Sequence, residues 1–247
     1  MPEWVGTSLR IYDRLAQRIA PRSGPTQRRY LEHLERAVQP GSRWLDLGCG
    51  HNLFPAWLGV DEIALARRAS RLVGLDLDLP SLRKNQTIRD RILANLEQLP
   101  LAASSFDLVT ANMVVEHVAE PAALLREVYR VLSPGGVFLF HTPNFNAPSI
   151  RIAALTPDGL KKKLIWLLER RAGEDVFPTH YRINTSAAIH ELARTTRFTV
   201  ARLDHLNNAA VTAVLGPLAI PELLFIRALQ PERARELRSN LLVTLRK

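Results

Sequence analysis

Cysteine is almost absent from this sequence: Cys49 is the one such residue in 247. An internal disulfide and a Cys-based zinc cluster are both excluded, so a reducing compartment, and with it a cytoplasmic location, is expected. Long apolar runs are also missing. No segment reaches the roughly 18 uninterrupted apolar residues of a membrane-spanning helix, and the start, "MPEWVGTSLRIYDR", has no apolar stretch of leader length. Aromatic residues are scarce at 6%. No strand interleaves them with basic residues as a nucleic-acid platform would, which disfavours an RNA partner.

What is present suits a globular protein with a sizeable core: 47% apolar and 23% charged residues. The net charge of +9 is uneven, because residues 1–43, 151–171 and 227–247 each carry +4 while the remainder carries −3. Basic flanks of this kind fit an anionic partner, such as a substrate phosphate, a membrane surface or nucleic acid, or plain solvated faces.

Residues 7–38 form two predicted helices broken at "PRSGP", with Arg10, Arg14 and Arg18 on one face. From Arg43 strands and helices alternate. The expected strands are "RWLDLG", "RLVGLDLD", "RILANL", "SFDLVTAN" and "GGVFLFHT"; the expected helices are Leu53 to Ala69 after a break at Pro55, Pro80 to Arg89, and "AALLREVYRVL". Such alternation implies right-handed βαβ units and a parallel sheet. After Thr142 the rhythm changes to a loop, "PNFNAPS", a basic amphipathic helix, "GLKKKLIWLLERR", a helix "TSAAIHELARTT" capped by Thr185 or Ser186, a strand "FTVARLDHL", short apolar helices within 209–229, and a closing strand "NLLVTLRK".

The first strand runs into Asp-x-Gly-x-Gly: Asp46, Gly48 and Gly50. Glycines let a ligand approach the backbone closely. A dinucleotide loop has a third glycine three residues after the second, where a helix binds pyrophosphate. Here that position is Leu53, and no Gly-Lys-Ser/Thr follows to make a phosphate loop. Asp76 ends the second strand, where an acid can accept both ribose hydroxyls. Two glycines, a ribose acid and no phosphate cradle suit an adenosine with an uncharged or cationic tail.

In order and separation, "WLDLGCG", "GLDLD", "NLEQLPLAASSFDLV", "VVEHVAEP" and "VYRVLSPGGVFLFHTPN" resemble the class I S-adenosylmethionine-dependent methyltransferases, in the type 11 branch that includes the ubiquinone and menaquinone methyltransferases. The resemblance covers about residues 43–145. It implies an α/β, Rossmann-like, mostly parallel seven-stranded sheet with helices on both faces, the last strand (240–246) antiparallel, and a small helical cap. Residues 1–42 are then an N-terminal helical segment, and 43–247 the methyltransferase domain with cap insertions at about 145–184 and 207–237. It also implies S-adenosyl-L-methionine as cofactor and S-adenosyl-L-homocysteine as product. By position, Gly48, Cys49 and Gly50 approach the methionine part, steadied by Asp46; Asp76 takes the ribose; Leu77, Asn95 and Leu96 meet the adenine; Asn112 and Met113 line the sulfonium pocket.

An oxygen acceptor must lose a proton, through a base or a metal. His117, His141 and His180 are the candidates for a base. Metal-dependent relatives use Glu-x-x-Glu-His plus a later His. Glu116, His117 and His180 match three of those positions, but the first Glu falls on Met113, a poor ligand for a hard cation, so no metal is expected. The expected activity is methylation, O-methylation first, of a small-molecule, glycan or lipid-linked acceptor. The alternatives are an RNA methyltransferase and a non-catalytic cofactor-binding partner protein. The basic segments, with Lys161, Lys162, Lys163, Arg170 and Arg171, are expected to allow peripheral contact with an anionic membrane at its inner face.

Overall fold

In the computed structural model, which describes residues 3–21, 23–156, 178–208 and 219–247, the chain forms two compact units. The larger comprises residues 27–143, 179–204 and 241–247; the smaller comprises 1–26, 144–178 and 205–240.

The larger unit is built on β1 (Arg43–Leu47), β2 (Arg71–Asp76), β3 (Asp90–Leu93), β4 (Phe106–Asn112) and β5 (Leu132–Pro143), with β6 (Thr199–Leu206) and β7 (Asn240–Arg246) completing a seven-stranded sheet in the order β3-β2-β1-β4-β5-β7-β6. The first five pair in parallel. β7 is antiparallel to β5: the Gly135 N–H reaches the Lys247 carbonyl at the start of β5, and the Asn144 N–H reaches the Ser239 carbonyl at its end.

Alternation along each strand divides its side chains between two faces. One face carries Leu45, Leu47, Val109, Ala111, Phe138 and Phe140. These are buried against α5 (Pro121–Val131) and α7 (Ser186–Thr195) through Leu124, Leu125, Val128 and Ile189. Thr185 caps α7, its hydroxyl accepting the Ala188 N–H at 3.1 Å. The opposite face is more polar. It carries Asp46, Thr110, Asn112 and His141, and meets α2 (Thr26–Ala37), whose Gln27 bonds Asn112 and whose buried Tyr30 stacks on His141.

Two helices are shorter than expected. Leu53 to Ala69 is not one helix: a single turn at Ala56–Leu58 ends at Gly59, and α3 runs only from Glu62 to Ala66, capped by the Asp61 side chain. α4 spans Leu79–Lys84 and stops before Arg89, because Asn85 takes an extended conformation and turns its side chain to the glycine loop.

In the smaller unit, α1 (Glu3–Ile19) packs Tyr12, Leu15 and Ile19 on Leu223 and Ile226 of α8 (Ile220–Ala228). α6 (Pro148–Leu155) exposes Ile152 and Leu155. The predicted basic helix at 159–171 lies outside the described residues.

Candidate cofactor site

The sheet reverses its direction of winding between β1 and β4, and ligands of open α/β sheets bind at the carboxyl ends beside such a switch point. The glycine turn leaves β1 there. Gly48 has φ +64°, and a Cβ on it would stand 2.3 Å from a Val114 methyl. Gly50 has φ +50°, with no heavy atom within 4 Å of where its Cβ would be, so the space over it is open.

Three side chains hold this turn. Asp76, at the end of β2, accepts the Gly50 N–H at 2.8 Å through one carboxylate oxygen and the Asp78 N–H at 2.8 Å through the other. Each oxygen keeps a lone pair, so a ribose hydroxyl could still be accepted. Asn85 donates to the Gly50 carbonyl at 3.0 Å while its own carbonyl accepts the N–H groups of Thr87 and Ile88. Buried Asp46 accepts from the Thr110 hydroxyl, which in turn accepts the Trp44 indole N–H at 2.7 Å. Burial pushes Asp46 up to about 7; the Thr110 bond opposes that rise, and the Asp76 and Glu62 charges add to it. Cys49 is buried, its thiol is raised well above the ordinary range by burial, and its backbone N–H donates to the Leu75 carbonyl at 3.2 Å.

Beyond the turn, the backbone N–H groups a pyrophosphate would use are already taken. Glu62 accepts from Leu53 at 3.2 Å and from Phe54 at 2.7 Å, and the Thr87 hydroxyl donates to it at 2.9 Å. A carboxylate there would also repel a phosphate.

Leu77 is exposed and Leu96 is buried, both on the β2–β3 side. Asn95 is exposed, with its side-chain oxygen accepting the Glu97 N–H at 3.0 Å in a local turn. Asn112 is tied to Gln27 and His141. Met113 follows at φ +58°, its N–H donating to the His141 carbonyl at 2.8 Å.

The three histidines occupy different settings. His141 is buried, and burial lowers it to about 4. His117 lies on a short turn at Val115–His117 and is partly exposed. His180 is exposed, and its N–H donates to the Glu116 carbonyl at 2.8 Å. The Glu116 carboxyl is buried and accepts the Thr142 hydroxyl at 3.0 Å; burial raises it to about 7. Among the described residues, no three His, Cys, Asp or Glu side chains converge into a group that could hold a metal.

Asn85, Glu62 and Gln27 escaped the sequence reading. Each lies inside an expected helix: Gln27 in 7–38, Glu62 in Leu53 to Ala69 and Asn85 in Pro80 to Arg89.

Residues 45–140 match the family model described as Methyltransferase domain. The chain is 33% identical over 138 residues to the ubiquinone biosynthesis O-methyltransferase of Hahella chejuensis, covering 53% of this chain and 55% of that protein. It is 36% identical over 107 residues to the malonyl-acyl-carrier-protein O-methyltransferase of Serratia marcescens, covering 42% of this chain and 39% of that protein. The chain thus spans about half, or less, of the length of these curated relatives. A crystal structure of an S-adenosylmethionine dependent methyltransferase from Mesorhizobium loti is similar with a TM-score of 0.56 and 25% identity, over 87% of this chain and 96% of that one.

Proposed function

We propose, from the premise that residues 45–140 form a methyltransferase domain on a Rossmann-like sheet, that this protein transfers a methyl group from S-adenosylmethionine to an oxygen of a small-molecule acceptor. The observation that carries the choice of cofactor is Glu62, bonded to the Leu53 and Phe54 N–H groups where a dinucleotide would bring its pyrophosphate. An adenosine without phosphates avoids that carboxylate.

When bound, S-adenosylmethionine supplies a methyl group on a sulfonium, an electrophile that requires alignment and exclusion of water more than activation. The turn Gly48–Gly50, open over Gly50, would receive the methionine end, Asp76 the ribose hydroxyls, and Leu77 and Leu96 the adenine. Asn112 and Met113, at the end of β4, would border the reacting centre. The acceptor oxygen must give up its proton, and His117, His141 and His180 are the groups proposed to take it. The O-methyltransferase names of the two curated relatives support oxygen as the acceptor atom.

The acceptor is further proposed to be amphipathic or lipid-linked, and recognised by segments 145–184 and 207–237. Supporting this, α6 exposes Ile152 and Leu155 at 68% and 84%, and α8 exposes Leu224 and Phe225. No helix of the described residues is long and apolar enough to cross a membrane, so the contact proposed is peripheral, at the cytoplasmic face. Co-sedimentation with vesicles, with and without anionic lipid, tests it; Lys161–Lys163→Ala should release the protein from the anionic ones.

Calorimetry tests the central reading: S-adenosylhomocysteine should bind and NAD should not. Detectable NAD binding with none for S-adenosylhomocysteine would overturn it. Release of S-adenosylhomocysteine across a panel of phenols, catechols and aliphatic alcohols would then find the acceptor class.

A further inference from the structure

We infer that Asn112, braced by Gln27, is a positioning residue that fixes the tautomer of His141, leaving His141 Nε2 to accept the proton of an acceptor hydroxyl. The hydroxyl rests on the methyltransferase reading above; the tautomer rests on geometry alone.

Asn112 and His141 are register partners at the ends of β4 and β5, and Gln27 stands over them in the first turn of α2. Gln27 and Asn112 form a two-point amide pair: Asn112 Nδ2 donates to Gln27 Oε1 at 2.8 Å, and Gln27 Nε2 donates to Asn112 Oδ1 at 3.2 Å. The second lone pair of Asn112 Oδ1 meets His141 Nδ1 at 3.0 Å. An oxygen can only accept, so Nδ1 carries the proton and Nε2 carries a lone pair. That Nε2 is buried and has no hydrogen-bond partner among the described residues. Tyr30, stacked on the imidazole with centroids 5.9 Å apart, restrains the ring plane.

Turning both amides over would give a second pattern, with Asn112 donating to Nδ1 and the proton on Nε2. That would bury an N–H with no acceptor, which folded proteins avoid more strictly than a bare lone pair. The dry surroundings of Nε2 therefore select the Nδ1–H tautomer, and Asn112, braced by Gln27 85 residues away along the chain, supplies the acceptor that Nδ1–H needs. A buried lone pair without a donor is an atom that a hydroxyl-bearing ligand can satisfy. With the cofactor bound, the hydroxyl oxygen would gain the methyl as the methyl–sulfur bond breaks and its electron pair stays on the donor sulfur; the O–H bond would break and an Nε2–H bond form, and the imidazolium would then return the proton to solvent.

The test is long-range proton–nitrogen spectroscopy on the full-length protein labelled with 15N-histidine. Wild type should show His141 as the Nδ1–H tautomer. Asn112→Ala, which removes the acceptor at Nδ1, should show a mixture, and Asn112→Asp, which can only accept, should keep the Nδ1–H form. An Nε2–H tautomer in wild type or in Asn112→Asp, or an unchanged spectrum in Asn112→Ala, overturns the positioning role. With an acceptor from the hydroxyl panel, His141→Gln should lower kcat about a hundredfold or more with KM for the cofactor little changed; an unchanged kcat removes the proton transfer from His141. Calorimetry with S-adenosylhomocysteine on the same samples separates the two readings, since loss of binding in wild type defeats the methyltransferase and leaves the tautomer result standing.

Discussion

The Asn85 side chain donates to the Gly50 carbonyl at 3.0 Å, joining two residues 35 positions apart at the turn where the cofactor is proposed to lie. The same buried amide receives the Thr87 and Ile88 N–H groups through its oxygen. Asn85→Ala leaves these groups without their partner in a dry environment. The expected loss of stability is about 2–3 kcal/mol, read as a lower urea midpoint at unchanged slope. Affinity for S-adenosylhomocysteine should fall as well. A variant equal to wild type in both would show that the turn is held by its own backbone.

Gly48→Ala meets two obstacles. A side chain at φ +64° costs roughly 1–2 kcal/mol, and its Cβ would collide with Val114, whose methyls would lie at 2.3 and 2.8 Å. The double variant Gly48→Ala/Val114→Ala removes the methyls and leaves the backbone strain. Thermal unfolding should therefore place it between Gly48→Ala and Val114→Ala. If adding Val114→Ala rescues nothing, the collision is not the source of the loss.

Asp76 has two duties, because it organises the turn through Gly50 and Asp78 and is the proposed ribose partner. Asp76→Ala should weaken S-adenosylhomocysteine by about 1.5–3 kcal/mol, the range for hydrogen bonds to a charged group. Asp76→Asn keeps one acceptor oxygen and should fall between. Calorimetry giving wild-type affinity for the alanine variant would remove Asp76 from the site.

The strands of the sheet were legible because each is a short apolar run ending in a turn signal, and the order of acids and glycines along them located the site. The helices that failed did so for long-range reasons. Leu53 to Ala69 has helical spacing, but Glu62 turns back to the Leu53 and Phe54 N–H groups and Gly59 adopts φ +66°. Local propensity cannot anticipate a carboxylate spent on the chain before it. Gln27 was equally hidden: nothing around "TQRRY" distinguishes an amide that pairs with Asn112 from one facing water. His141 was visible as a histidine at a strand end, whereas its burial and its Nδ1 partner depend on α2 covering that face.

Activity should survive EDTA. The position where metal-dependent relatives would place their first carboxylate is Met113, and Glu116 gives its carboxyl to the Thr142 hydroxyl inside the core. A thioether is a weak ligand for magnesium or calcium. Loss of turnover on chelation, restored by magnesium or zinc, would make Glu116, His117 and His180 a metal site and overturn this expectation.

Glu116 makes stability depend on pH in a direction opposite to that of a salt-bridged acid. Burial raises its carboxyl from the ordinary 4.5 to about 7 in the folded protein. Between those values the folded state holds a proton that the unfolded state has released, so stability falls as pH rises. The contribution is fully present below pH 4.5 and is lost as pH passes 7. Glu116→Gln keeps an oxygen for the Thr142 hydroxyl and cannot ionise. The stability of wild type minus that of Glu116→Gln should therefore drop by about 3 kcal/mol from pH 4.5 to 7.5. Asp46, also raised to about 7, and His141, lowered to about 4, act with opposite signs in this range, but both are present in the two proteins and cancel in the difference. Urea midpoints at half-unit pH steps measure it. Parallel curves for the two proteins would mean that Glu116 ionises at its ordinary pH, and that water reaches the carboxyl.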